Sequence, residues 1–150
     1  MAGSLVVTSM SNPYADDGEQ NTIVLDWTSD SSNGDVSSDI ASTFATAQAL
    51  INDAIPQPSK LKGYIVGIET IPGLLGDLAT TLPDDLYDIT LDDPYDYDLA
   101  GASLANRSGT VAQKVVPSAP IPSDSEVTLE VSAAGNSKTG RVILYIAPSL

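Results

Sequence analysis

Apolar and polar residues alternate in short blocks along this chain. Residues 87–92 read Tyr-Asp-Ile-Thr-Leu-Asp, which sets Tyr87, Ile89 and Leu91 on one side and Asp88, Thr90 and Asp92 on the other. A period of two is that of a pleated strand with one buried and one wet face. Residues 127–132 (Val-Thr-Leu-Glu-Val-Ser) repeat the pattern, and after Gly135-Asn136-Ser137-Lys138-Thr139-Gly140 comes Arg141-Val142-Ile143-Leu144-Tyr145-Ile146. Two such runs around a turn rich in Gly and Asn predict a hairpin. Residues 22–28 predict another strand, with Ile23, Leu25 and Trp27 on one face. Trp27, the only tryptophan, is expected as a core anchor because large aromatics dominate burial.

Further strands are predicted over residues 61–70, broken by Ile71-Pro72-Gly73, and over residues 95–99, with Tyr95, Tyr97 and Leu99 sharing a face. A short strand over residues 111–116 is followed by Pro117, Pro120 and Pro122, which hold the next stretch extended, without backbone donors at those positions, and therefore at a sheet edge. Residues 29–39 read as a loop. Beyond it the period changes: Ile40, Phe44, Ala47, Ala49, Leu50, Ile51 and Ala54 recur every three or four positions, Ser38 or Asp39 can cap the start, and Pro56 and Pro58 end the run. This predicts one helix, about residues 39–55. The expectation is an all-β fold, a β-sandwich of jelly-roll type with that helix closing one end. Residues 1–20, with the apolar patch Leu5-Val6-Val7 and turn chemistry around Tyr14, read as an N-terminal arm or edge strand, and residues 21–150 as a single sandwich domain.

A chain of 150 residues can bury enough surface to fold without staples. It has neither Cys nor His, which removes disulfides, thiolate metal sites, the usual general base and every Ser-His or Cys-His nucleophile arrangement. No enzymatic role and no cofactor are therefore expected. Twenty acidic residues against six basic ones give a net charge of −14, which opposes binding to nucleic acid or an anionic membrane and favours a basic partner. No apolar run approaches the length of a membrane span.

The densest charge lies at Asp84, Asp85, Asp88, Asp92, Asp93, Asp96 and Asp98, with no Lys or Arg between Lys62 and Arg107. Calcium needs about six to eight oxygens converging on one point, whereas the alternation spreads Asp88 and Asp92 along a wet strand face. The Asp-x-Asp-x-Asp-Gly loop is also interrupted by Pro94 and Tyr95. No metal site is expected. The carboxylates read as a solvated face or as a docking face for a basic partner. Glu69 with one of these Asp residues has the composition of a glycosidase pair but lacks an aromatic cleft. Gly73-Leu-Leu-Gly76-Asp77 lacks the Gly-Lys ending of a phosphate loop. Arg107 suits either a partner carboxylate or an ion pair with the acidic strand, and Arg141 stands alone.

Residues 87–91, the run Gly101-Ala-Ser-Leu-Ala-Asn-Arg107, Val115-Val-Pro117 and residues 127–145, taken together, resemble a recurrent small structural protein of tailed bacteriophages. Asp26-Trp27-Thr28-Ser29-Asp30 and Gly63-Tyr64-Ile65-Val66 with Pro72-Gly73 extend the resemblance over about two thirds of the chain. It departs at residues 40–55, which read as an insertion, and at Asp92-Asp93-Pro94-Tyr95, where a Gly-containing turn is expected. The resemblance implies a capsid decoration or cement protein on the outer surface of the virion, made in the host cytoplasm. It would bind the major capsid protein and copies of itself as a homodimer or homotrimer. The contacts expected on this reading are Leu5, Val6, Val7 and Tyr14 of the N-terminal segment, Asp88, Asp92, Asp96 and Asp98 of the acidic strands, and Arg107. Alternatives are a tail, fibre or head-to-tail component, and a calcium-dependent carbohydrate-binding module.

Overall fold

The computed structural model describes residues 3–10, 21–32, 35–39, 64–74, 81–122 and 127–147. Alternating residues in these stretches build nine strands: β1 (Ser4–Met10), β2 (Asn21–Thr28), β3 (Val36–Asp39), β4 (Tyr64–Pro72), β5 (Asp88–Asp92), β6 (Gln113–Val115), β7 (Ile121–Pro122), β8 (Thr128–Ser132) and β9 (Thr139–Ala147). All pairings are antiparallel. The larger sheet runs β1-β2-β9-β4-β6, with β7 also on β4, and the smaller runs β3-β8-β5. The fold is all-β, and its two sheets share one hydrophobic core.

That core follows from the alternation. Ile23, Leu25 and Trp27 of β2, Ile65 and Ile68 of β4, and Val142, Leu144 and Ile146 of β9 point inward from the large sheet. They meet Val36, Ile89, Leu91, Leu129 and Val131 of the small sheet in a single buried cluster. Trp27 is fully buried and tilts against Tyr87, with ring centroids 5.7 Å apart, so this aromatic pair ties the two layers together. The indole lies over Gly140, its register partner on β9, where a Cβ would overlap the ring.

Several expectations change. The predicted hairpin of β8 and β9 does not form: β8 pairs with β3 and β5, while β9 pairs with β2 and β4. Both strands bury alternate residues, but against each other's layer rather than along one ladder. The connecting turn passes from sheet to sheet, with Ala133, Gly135 and Ser137 in the left-handed region. The end of β2 holds it in place: Ser29 Oγ donates to Gly135 O at 2.6 Å and accepts from Lys138 N at 2.8 Å, and Ser29 N donates to Lys138 O at 2.8 Å.

Residues 36–39, expected as loop and helix cap, are strand β3. The rest of the expected helix, residues 40–55, lies outside the described residues. Ile71 and Pro72 continue β4 instead of breaking it, and a register shift between Ile65 and Gly67 resets which side chains face inward. Ile121 and Pro122 pair with Ile65 and Tyr64 as the short strand β7. Residues 95–99 are not a strand with one apolar face; Tyr95 and Tyr97 project from a turn. The strand orders place six strands opposite three and do not establish the jelly-roll connection pattern.

Candidate interaction surface

The acidic segment folds back on itself. After β5, the backbone of residues 97–107 returns along the strand's open edge: Leu99 N donates to Leu91 O, Ile89 N to Leu104 O, and Arg107 N to Tyr87 O. An edge of unpaired donors and acceptors would otherwise invite another strand, and this return segment satisfies it from within the chain.

The carboxylates make that return possible. Asp98 Oδ1 accepts from Leu91 N at 3.2 Å and Ala100 N at 3.0 Å, and its Oδ2 accepts from Ala102 N at 2.7 Å. Asp88 Oδ1 accepts from Asn106 N at 2.8 Å, and Asp92 Oδ2 from Thr90 Oγ1 at 2.8 Å. Asp93 Oδ1 caps the tight turn by accepting from Tyr95 N at 2.8 Å and Tyr97 N at 3.0 Å, while Asp93 N donates to Tyr97 O and Asp96 N to Asp93 O. Asp85 Oδ1 accepts from Gly109 N at 3.0 Å. Charged acceptors on backbone donors make strong hydrogen bonds, and here they brace the loops. Among the described residues no group of three or more acidic side chains is arranged to hold a metal ion.

Asp96 differs from its neighbours. It occupies the left-handed region at φ 63°, lies exposed, and its side chain makes no hydrogen bond among the described residues. On either side of it Tyr95 is 90% and Tyr97 is 67% exposed. Leu86, Val111 and Val116 are further large apolar side chains on the surface, and Leu86 is held there with a left-handed backbone. For a bulky residue that conformation is strained by about 1–2 kcal/mol.

Of the N-terminal residues expected in contacts, Leu5 packs against the core from β1, and Val6, one position on, points outward and is exposed. Val7 lies in the same strand opposite Leu25, and Tyr14 lies outside the described residues. Leu5, Val6 and Val7 belong to β1 of the large sheet, whereas the Asp93 turn follows β5 of the small sheet. Among the described residues Arg107 forms no ion pair with the acidic strand: its Nε and Nη2 donate to Ala105 O at 3.2 and 2.9 Å. Burial pushes the Tyr87 phenol up to about 12, against the lowering pull of the nearby Arg107 guanidinium.

Two interactions on the outer face of the large sheet were not legible in the sequence. Arg141, expected to stand alone, pairs with Asp26, its register neighbour on β2. Tyr145 donates its hydroxyl to Glu69 Oε2 at 2.8 Å, which raises the phenol's pKa, and Lys114 Nζ sits 4.1 Å from the ring centroid. Glu69, considered above as half of a carboxylate pair, is thus engaged by the phenol in the ladder opposite Lys114. Strand register brings these partners together, and no local motif announces them.

No protein-family model, no curated protein and no solved structure matches this chain.

Proposed function

We propose that this protein is a non-enzymatic decoration protein of a tailed bacteriophage capsid, which binds the outer surface of the major capsid protein shell and stabilises it. The observation that carries the reading is the set of large apolar side chains held outward on ordered backbone, Val6 on strand β1 and Leu86, Tyr95, Tyr97, Val111 and Val116 on the loops. Such residues supply binding energy when a partner covers them. The resemblance of the spaced phrases from Tyr87 to Tyr145 supports the choice of partner. The chemistry is mass action: a ligand that binds the assembled shell but not its dissociated subunits stabilises the shell by the free energy of binding. Copies of the chain would bridge neighbouring capsid subunits as a homodimer or homotrimer.

The test is to add purified protein to undecorated shells of the phage that encodes it and to follow shell disruption on heating. A higher disruption temperature that saturates with added protein is the expected result. Shells that break at an unchanged temperature would remove the proposal. Electron microscopy of intact particles separates this role from a tail, fibre or head-to-tail position.

A further inference from the structure

The turn at residues 93–97 has no structural need for two tyrosines. Its geometry is made by the Asp93 carboxylate and by backbone hydrogen bonds, none of which uses a phenol ring. Burial does not account for them either, since both rings stand in solvent. What the turn does achieve is to hold two large planar side chains on a braced backbone with a free carboxylate between them.

We infer that this turn is a docking tip for a cationic protein surface, with Tyr95 and Tyr97 as aromatic anchors and Asp96 as the ion-pairing group. The sign of the partner follows from chemistry. A tyrosine face attracts an ammonium or guanidinium group, an adjacent carboxylate adds a charge-assisted hydrogen bond, and a chain of net charge −14 repels acidic surfaces. Arginine suits the site best, since its planar fork can stack on one ring while it pairs with a carboxylate.

The fold contains the completed version of this arrangement on its other sheet. Tyr145 has the Lys114 ammonium over its ring and the Glu69 carboxylate on its hydroxyl. Tyr95, Tyr97 and Asp96 present the rings and the carboxylate, and among the described residues no cation meets them. The braced backbone matters as well, because rigid aromatic anchors lose little conformational freedom on binding. Asp92, Asp93 and Asp98 contribute long-range attraction, but both oxygens of Asp98 and one each of Asp92 and Asp93 are already engaged within the chain.

This inference rests on the reading of the protein as an adhesive component and names the chemistry of the surface it meets. The experiment titrates isotope-labelled full-length protein with an acetylated tetra-arginine amide at low salt and follows backbone amide resonances. Shifts centred on residues 93–98 are expected. Affinity should fall about tenfold in the Tyr95→Ser/Tyr97→Ser double variant, a change of about 1.4 kcal/mol that leaves the net charge unaltered. Asp96→Asn should weaken binding less, by about threefold. Because all three side chains are exposed, the variants should melt like the parent. Equal affinity of the double variant, or shifts spread over the whole acidic surface, would overturn the docking tip in favour of diffuse charge attraction. A double variant that instead loses self-association in the ultracentrifuge would also overturn it, since the occupant is then a second copy of the chain. Co-sedimentation with shells separates the two readings. If parent and double variant pellet alike, decoration stands and the docking tip fails; if the parent never pellets, decoration fails and the tetra-arginine titration decides the tip alone.

Discussion

Asp26 and Arg141 face each other across the β2–β9 ladder, and the guanidinium grips the carboxylate at two points, Nε to Oδ1 at 2.6 Å and Nη2 to Oδ2 at 3.0 Å. The hydrogen bond to Asp26 raises the Arg141 pKa above its ordinary value. The pair is only partly shielded, with the Arg141 side chain 34% and the Asp26 side chain 15% exposed. Exposed pairs contribute little, and a two-point geometry places this one at the upper end, about 1 kcal/mol. A double-mutant cycle with Asp26→Asn and Arg141→Gln should return a coupling of that size in denaturant unfolding, and added salt should reduce it. Zero coupling at low salt would show that the pair is spectator chemistry.

Asp98 and Asp96 lie two residues apart and should behave oppositely. Asp98→Ala removes the acceptor for three backbone N–H groups and should destabilise the protein by about 1–3 kcal/mol. Asp96→Asn should change stability by less than about 0.5 kcal/mol, because Asn tolerates the same left-handed backbone and the carboxylate it replaces holds nothing among the described residues. Thermal unfolding of the two variants side by side checks this, and similar losses would contradict the assignment of one carboxylate to structure and the other to the surface.

Gly140 is a position of close approach. Replacing it with Ala drives a methyl group into the fully buried Trp27 ring, so the ring or the strand must shift. The expected cost is about 1–3 kcal/mol or more, read as a lowered denaturant midpoint with an unchanged slope. Changed near-ultraviolet dichroism from the single tryptophan should accompany it.

Tyr87 sets a prediction about alkaline pH. Its phenol has an ordinary pKa of 10.0 and is pushed up to about 12 in the folded chain by burial, so the native state keeps a proton that the unfolded chain releases. Between pH 10 and 12 the unfolded state therefore binds fewer protons, and stability must fall as pH rises, by up to about 1.4 kcal/mol per pH unit. Below pH 10 this contribution is fully present. Tyr145, also raised through its bond to Glu69, works in the same direction. Comparing unfolding free energies of the parent and Tyr87→Phe across this range isolates the Tyr87 share, and parallel curves would refute it.

The period-two runs determined by themselves that the chain is all-β, because alternation dictates which side chains a strand can bury whatever its neighbours are. They identified β2, β4, β5, β8 and β9 within a few residues, and they marked Trp27 for the core. Alternation does not say which strand lies alongside. Residues 127–132 and 141–146 each bury one face equally well in a hairpin or in two opposed layers, and the long-range pairing of β8 with β3 and β5 and of β9 with β2 and β4 selects the second.

The same division runs through the candidate surface. An Asp-rich stretch was visible in the sequence, but its carboxylates were indistinguishable there. Tertiary structure decided that Asp88, Asp93 and Asp98 satisfy backbone donors along the covered edge of β5, while Asp96 stays free between two exposed tyrosines. Tyr95 and Tyr97 had the spacing of a buried strand face, yet the Asp93 cap turns the chain before a ladder can form and leaves both rings in water. Arg141 found Asp26 through register alone. Two physical reasons lie behind this: apolar alternation reports burial but not local side-chain caps such as Asp93 on Tyr95 N and Tyr97 N, and partners such as Asp26 and Arg141 come from segments far apart in the chain that meet only when the sheets assemble.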